Sequence, residues 1–192
     1  MNIIEKNKLQ DVYIAAKGLL GSYLVRKIGN KELIGKIVEV EIYHEKDPAS
    51  HSCHGQTKRC EVMFGPAGFS YIYLVYGMYY CLNIVCGKVG EGSAILIRAV
   101  EPIDGINFMQ EKRKTNDLKN LTNGPGKLCQ ALNITKKENN INLLNKKSPI
   151  HLEIGDQVAS SQIISTTRIG IAKAKDKLLR FYIKDSVFVS FK

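Results

Sequence analysis

The sequence predicts a single mixed domain of the α/β class, α+β in type, with a curved, mostly antiparallel sheet flanked by helices. Three observations carry this. Residues 35–45 alternate apolar and polar, and residues 69–85 form two β-rich runs joined by a Gly-containing turn. The 192 residues, 44% of them hydrophobic, suffice for one sizeable core but not comfortably for two, so the domain is expected to span 1–192.

No repeat or low-complexity block interrupts the chain. The stretch after Asp11, with Leu19, Leu20, Tyr23, Leu24 and Val25, reads as an amphipathic helix. From Gly35 to Glu45 the period changes to two. Val38, Val40 and Ile42 are expected on one face, with Glu39, Glu41 and Tyr43 on the other. One face packs while the other carries acid and aromatic groups.

Residues 44–68 hold histidines, small residues and Gly65-Pro66-Ala67-Gly68 without a sustained period, which predicts a long loop of the kind that usually carries function. Phe69–Tyr76, Gly77-Met78 and Tyr79–Val85 then predict a tight hairpin with Tyr76 at its tip. A third strand, Ala94–Ala99, follows a Gly-rich turn and ends near Arg98. A helix is expected from Asp104 with Ile106 and Met109. Another opens at Asn123-Gly124-Pro125-Gly126, where proline suits the first helical turn. After a polar stretch from Lys136 to Lys147, the apolar runs 150–154, 163–172 and 179–189 suggest a return to the sheet.

Twenty-eight lysines and arginines against 18 acids leave a net charge of +10, which favours a polyanionic partner through phosphate neutralisation and counterion release. The N-terminal residues carry no leader-like apolar core, and no run approaches the roughly 20 apolar residues of a membrane span, so a cytoplasmic protein without membrane contact is expected. Five cysteines make an odd set without a C-x-x-C pair, and His51-Ser52-Cys53-His54 is too compact for tetrahedral closure. Neither a disulfide framework nor a metal site is expected.

Several blocks together resemble one known family. They are Val38-Glu39-Val40-Glu41-Ile42-Tyr43, Ala49-Ser50-His51, Met63-Phe64-Gly65-Pro66, the hairpin Tyr71–Tyr79, Leu96-Ile97-Arg98-Ala99, Asn123–Leu132 and Leu179-Arg180-Phe181-Tyr182. In this order, and over nearly the whole chain, the sequence resembles the alkyladenine (3-methyladenine) DNA glycosylases. Two positions depart from the family pattern. Ile42 stands where a small residue is common, and Thr57-Lys58-Arg59 replaces Thr-Pro-Arg in a loop expected to line the site.

The resemblance implies a DNA-repair enzyme that flips a damaged purine out of double-stranded DNA and hydrolyses its bond to deoxyribose. It implies that Tyr76 enters the minor groove as a wedge. It also implies that Tyr43, Tyr73, His51, Asn83, Ile171 and Ala172 form the base pocket, with Asn83 excluding guanine by its exocyclic amine. Electron-rich tyrosine faces would favour a cationic alkylated purine by ~0.5–2 kcal/mol. Cleavage passes through an oxocarbenium-like sugar, so a carboxylate is needed to direct water and offset charge. Glu39 and Glu41 share a face, and spacing alone does not choose between them. The resemblance selects Glu41, about 7 Å along the strand from Tyr43, with Arg98 as the partner that keeps it ionised and oriented.

No lysine matches a position for a Schiff-base nucleophile, so simple hydrolysis is expected, with no lyase step, no cofactor, and a monomer acting on DNA. The rival from another class is a non-catalytic nucleic-acid-binding module, which gains nothing from a carboxylate beside the sugar. A formyltransferase-like RNA-binding domain would need a formyl-donor motif that is not seen.

Overall fold

The computed structural model describes residues 2–190. Asp11 caps the first α-helix, α1 (Val12–Leu19), by accepting bonds from the amides of Tyr13 at 2.8 Å and Ile14 at 3.0 Å. The helix buries Ala15, Ala16 and Leu19 and stops there, because Gly21 adopts a φ of +85° and redirects the chain. A side chain at Gly21 would collide with the carbonyl of Asp156. Tyr23, Leu24 and Val25, expected to continue the helix, instead begin a strand, β1 (Tyr23–Ile28). A continuous apolar run fits a buried strand as well as a helix, and the glycine decides.

The two-residue Gly29-Asn30 turn leads into β2 (Lys31–Tyr43), the longest strand. The chain then forms the hairpin β3 (Ser70–Val75) and β4 (Tyr79–Val85), then β5 (Ala94–Asp104), then helices α2 (Ile106–Arg113) and α3 (Pro125–Ala131) with proline at its start. Three short strands follow, β6 (Ile150–Glu153), β7 (Ile163–Thr166) and β8 (Arg180–Ile183). Among the described residues the sheet runs β3-β4-β5-β2-β1-β6, with β8 joined to β2 and β7 to β8. Every pairing is antiparallel. The mixed single-domain fold with a curled antiparallel sheet is therefore as the sequence predicts.

The curl has a local cause. Ile37 pairs with Val100 and Glu39 with Ala99, so Val38 is skipped; Val40 then pairs with Ile97, so Arg98 is skipped. Each skipped residue is a β-bulge, which bends the strand and reverses the side-chain phase. Leu33 and Ile37 face the main core before the bulge, Val40 and Ile42 after it, and Val38 packs separately with Ala99 and Val189. The expected grouping of Val38 with Val40 and Ile42 therefore fails by one residue. The bulge also places Arg98 in the interior of β5, which continues to Asp104 rather than ending near it.

The main core lies between the sheet and the helices, with α3 packed on β4 and α2 on α3. Residues 44–68 form the expected long loop, broken by one 3-10 turn at Glu61–Phe64. It is anchored by a second cluster of Cys60, Met63, Tyr71, Val85 and Ala94, and by Ser52 Oγ donating to the Gly92 carbonyl at 2.5 Å. Of the run 163–172, only the first four residues join the sheet. The remainder forms a loop facing β2, and no described helix is long and apolar enough to cross a membrane.

Candidate active site

Glu41 sits at the centre of a polar cluster. Its side chain is fully buried, yet its oxygens meet the Ile169 amide at 2.8 Å, the Tyr43 hydroxyl at 2.9 Å and Arg98 Nη1 at 3.2 Å. A buried carboxylate without such partners would be costly to keep charged, and three donors compensate it. Glu39, one pleat back, is also fully buried and accepts from Arg98 Nε at 3.2 Å and Arg180 Nε at 2.7 Å. The three groups Glu39, Glu41 and Tyr43 share a face as the alternation requires.

Above this cluster lies an open cleft of about 590 Å³. Tyr43, His51, Tyr73, Tyr76, Arg98, Ile171 and Ala172 all line it. Glu41 does not; it lies directly behind the wall formed by Tyr43, Arg98 and Ile169. Asn83 is also set back, on a small cavity of about 20 Å³ that it shares with Tyr43, His51 and Tyr73. Its amide donates to the Tyr71 and Cys81 carbonyls at 3.0 and 3.4 Å, which fixes its side chain. Lys58 is exposed and absent from the lining, whereas its neighbour Arg59 lies 5.8 Å over the Tyr73 ring. The sequence change at Lys58 thus falls outside the cleft wall.

His51 Nδ1 lies 2.9 Å from the Tyr71 hydroxyl, and its ring meets Tyr73 edge-on with centroids 4.5 Å apart. Burial, reinforced by the Arg59 charge, pushes the imidazole down to about 4. At neutral pH it is uncharged. Because its folded value lies below the 6.5 of a free imidazole, the unfolded chain takes up the proton first as pH falls. The contribution to stability is complete above pH 6.5 and is lost as pH drops toward about 4. Urea midpoints measured across that window should fall more in the native chain than in His51→Gln. Equal slopes would contradict the assignment.

Two buried residues that the sequence did not single out, Arg168 and Asp47, brace the wall from outside its lining. Arg168 stacks 4.6 Å over the Tyr43 ring, donates to the Ile42 carbonyl at 2.8 Å, and makes a two-pronged ion pair with Asp47, one prong being 2.9 Å. Both side chains are fully buried. Burial, the largest single influence, raises the Asp47 carboxyl, but the Arg168 hydrogen bond, the Ala49 amide and the Arg168 charge together outweigh it and the net shift is downward. The pair ties the 44–68 loop to the loop after β7, the two walls of the cleft. Arg168→Met leaves Asp47 buried and unpaired, and should cost ~3–5 kcal/mol in urea unfolding. Adding Asp47→Asn should recover part of that loss, and full additivity would mean the two are not coupled.

Cys81 lines the cleft opposite Tyr73, with burial pushing its thiol up to about 11. All five cysteines are free, and no described group of three or more His, Cys, Asp or Glu side chains could hold a metal ion. Asp47 stands two residues before the quoted Ala49-Ser50-His51 and Cys81 two after the quoted hairpin, but neither they nor Arg168 carried a local signal that marks them.

Comparison with known proteins matches residues 6–187 to the model of the methylpurine-DNA glycosylase family. A protein of Francisella tularensis subsp. tularensis is 56% identical over 179 residues, 93% of each chain. One from Carboxydothermus hydrogenoformans is 48% identical over 183 residues, 95% of each chain. One from Methanoculleus marisnigri is 46% identical over 185 residues, 94% of each chain. All three carry the words 3-methyladenine DNA glycosylase in their names.

Proposed function

Since the chain belongs to the methylpurine-DNA glycosylase family, hydrolases that act on N-glycosyl bonds in DNA repair, we propose that it excises alkylated and deaminated purines, such as 3-methyladenine and hypoxanthine, from duplex DNA. The base is flipped into the cleft and water attacks C1′. The observation that carries this reading is the Glu41 carboxylate, held by Arg98 and the Tyr43 hydroxyl immediately behind a cleft walled by aromatic rings.

In this mechanism the extruded purine stacks against Tyr43, with His51 and Tyr73 bounding its other side and Ile171 and Ala172 meeting its edge. His51 and Tyr73 are already in edge contact, so the base enters beside that pair rather than between its members. A neutral His51 adds no charge to repel a cationic purine. Asn83, set behind the rings, restricts the depth available to a guanine amine.

The glycosidic bond lengthens, positive charge develops on the sugar, and Glu41 offsets it while accepting a proton from the attacking water. A carboxylate offers about four lone-pair sites. Three are engaged, and the fourth, on the oxygen that Tyr43 contacts, suits the water. Because Glu41 lies one side chain behind the cleft wall, a small movement of Arg98 or of the loop at Ile169 must admit that water. No protein amine attacks the sugar, so an abasic strand is left unbroken.

The chain is read as a monomer that acts in the cytoplasm, where its positive charge of +10 draws it to DNA. A panel of duplexes bearing single lesions, assayed for free base and then for breakage after mild alkali, tests the reading. Free base from purine lesions with breakage only after alkali is the expected result. Binding without any released base would favour a non-catalytic module, and breakage before alkali would overturn the hydrolytic mechanism.

A further inference from the structure

We propose that Glu39 and Ser190 are positioning residues that fix Arg98 and, through it, the Glu41 carboxylate. The inference rests on the reading of Glu41 as the base. Arg98 divides its donors among three partners. Its Nη1 faces Glu41 at 3.2 Å, while Nε reaches Glu39 at 3.2 Å and Nε and Nη2 reach Ser190 Oγ at 3.3 and 3.2 Å. A guanidinium is planar and rigid, so holding the Nε–Nη2 edge dictates where Nη1 points.

Ser190 belongs to the segment after β8 and is bound to Glu39 twice, its amide donating at 2.6 Å and its hydroxyl at 2.8 Å. The hydroxyl therefore stands between carboxylate and guanidinium, donating to one and accepting from the other. Arg180 Nε secures Glu39 from β8 at 2.7 Å. Neither Glu39 nor Ser190 lines the cleft above Glu41, so neither is placed to touch the base. The bulges that skip Val38 and Arg98 set this geometry, aiming the arginine between two carboxylates on the next strand. A network that served only to anchor the end of the sheet would not require its arginine to face the candidate base.

The test separates chemistry from binding. Single-turnover excision and lesion-duplex affinity are measured for Ser190→Ala and Glu39→Gln, with folding checked by urea midpoint. Displacement of a positioned group by a fraction of an ångström should slow excision about 10-fold for Ser190→Ala and about 100-fold for Glu39→Gln, with affinity unchanged. In an Arg98→Lys background, which keeps the charge and loses the planar fork, Ser190→Ala should cost nothing more. Glu39→Gln alters a fully buried charge and can fail to fold, in which case Ser190→Ala decides. A folded Ser190→Ala with native excision, or one whose loss persists beside Arg98→Lys, overturns the proposal. If Glu41→Gln is inactive while both variants excise normally, only the positioning inference falls; if Glu41→Gln is active, the assignment of the base falls first.

Discussion

Replacing Glu41 by glutamine should reduce single-turnover excision of hypoxanthine or 3-methyladenine by at least ~10³-fold while leaving duplex affinity intact, since a general base contributes about 10²–10⁴-fold and this one also offsets sugar charge. The shape of the site favours a clean experiment. Glutamine keeps an oxygen for the Tyr43 hydroxyl or the Ile169 amide, both now bound to Glu41 at 2.9 and 2.8 Å. It removes the charge that Arg98 faces. Arg98 retains Glu39, so the guanidinium is not left without an ionic partner. Glu41 lies behind the cleft wall rather than on it, and for that reason its loss should leave contacts with DNA unchanged. Equal activity of Glu41→Gln and the native chain would reject the assignment.

Tyr76 offers the second large effect. It forms, with Gly77, a turn in which both residues have positive φ, 53° and 71°, and the Met78 amide donates to the Val75 carbonyl at 3.2 Å. That is the type I′ geometry of tight hairpins, and glycine or asparagine suits its first position far better than tyrosine. A bulky residue here costs ~1–2 kcal/mol of backbone strain, and the ring is 82% exposed, so no packing in the free protein repays it. Strain kept at an exposed tip is the mark of a residue retained for what it contacts.

Tyr76→Gly should therefore leave stability equal or higher, and weaken binding to lesion duplexes about 10- to 100-fold, in line with ~1–3 kcal/mol for stacking on a base. Tyr76→Ala should weaken binding and flipping similarly while sparing the hydrolytic groups, and Tyr76→Phe should behave as native. Undiminished affinity of Tyr76→Gly for lesion-containing DNA would remove the wedge role. Loss of stability in that variant would mean the ring packs on the fold.

Two local sequence patterns carried much of the fold and of the candidate site. Alternation in β2 set Glu39, Glu41 and Tyr43 on one face, and the Gly77-containing turn placed Tyr76 at a hairpin tip. Proline at the start of α3 marked that helix. These succeed because strand period and turn chemistry are decided within a few residues. The helix expected through Tyr23–Val25 failed for the complementary reason, since an apolar run satisfies a helix or a buried strand equally well and the choice came from pairing with β2 and β6. Val38 failed because a bulge depends on the partner strand. Lys58 lies off the cleft wall because the loop turns Arg59 toward it.

By itself, the sequence determined the class of fold, the acidic and aromatic face of β2, the tyrosine at the hairpin tip and the net positive charge. Tertiary structure alone decided that Glu39 and Glu41 are both buried, that Arg98 is shared between them, and that Arg168 and Ser190 reach their carboxylate partners from segments 121 and 151 residues away. The physical reason is that a buried charge is acceptable only where its counterion arrives. Which distant segment delivers that counterion is fixed by the bulges and pairing of the sheet, not by the residues beside it.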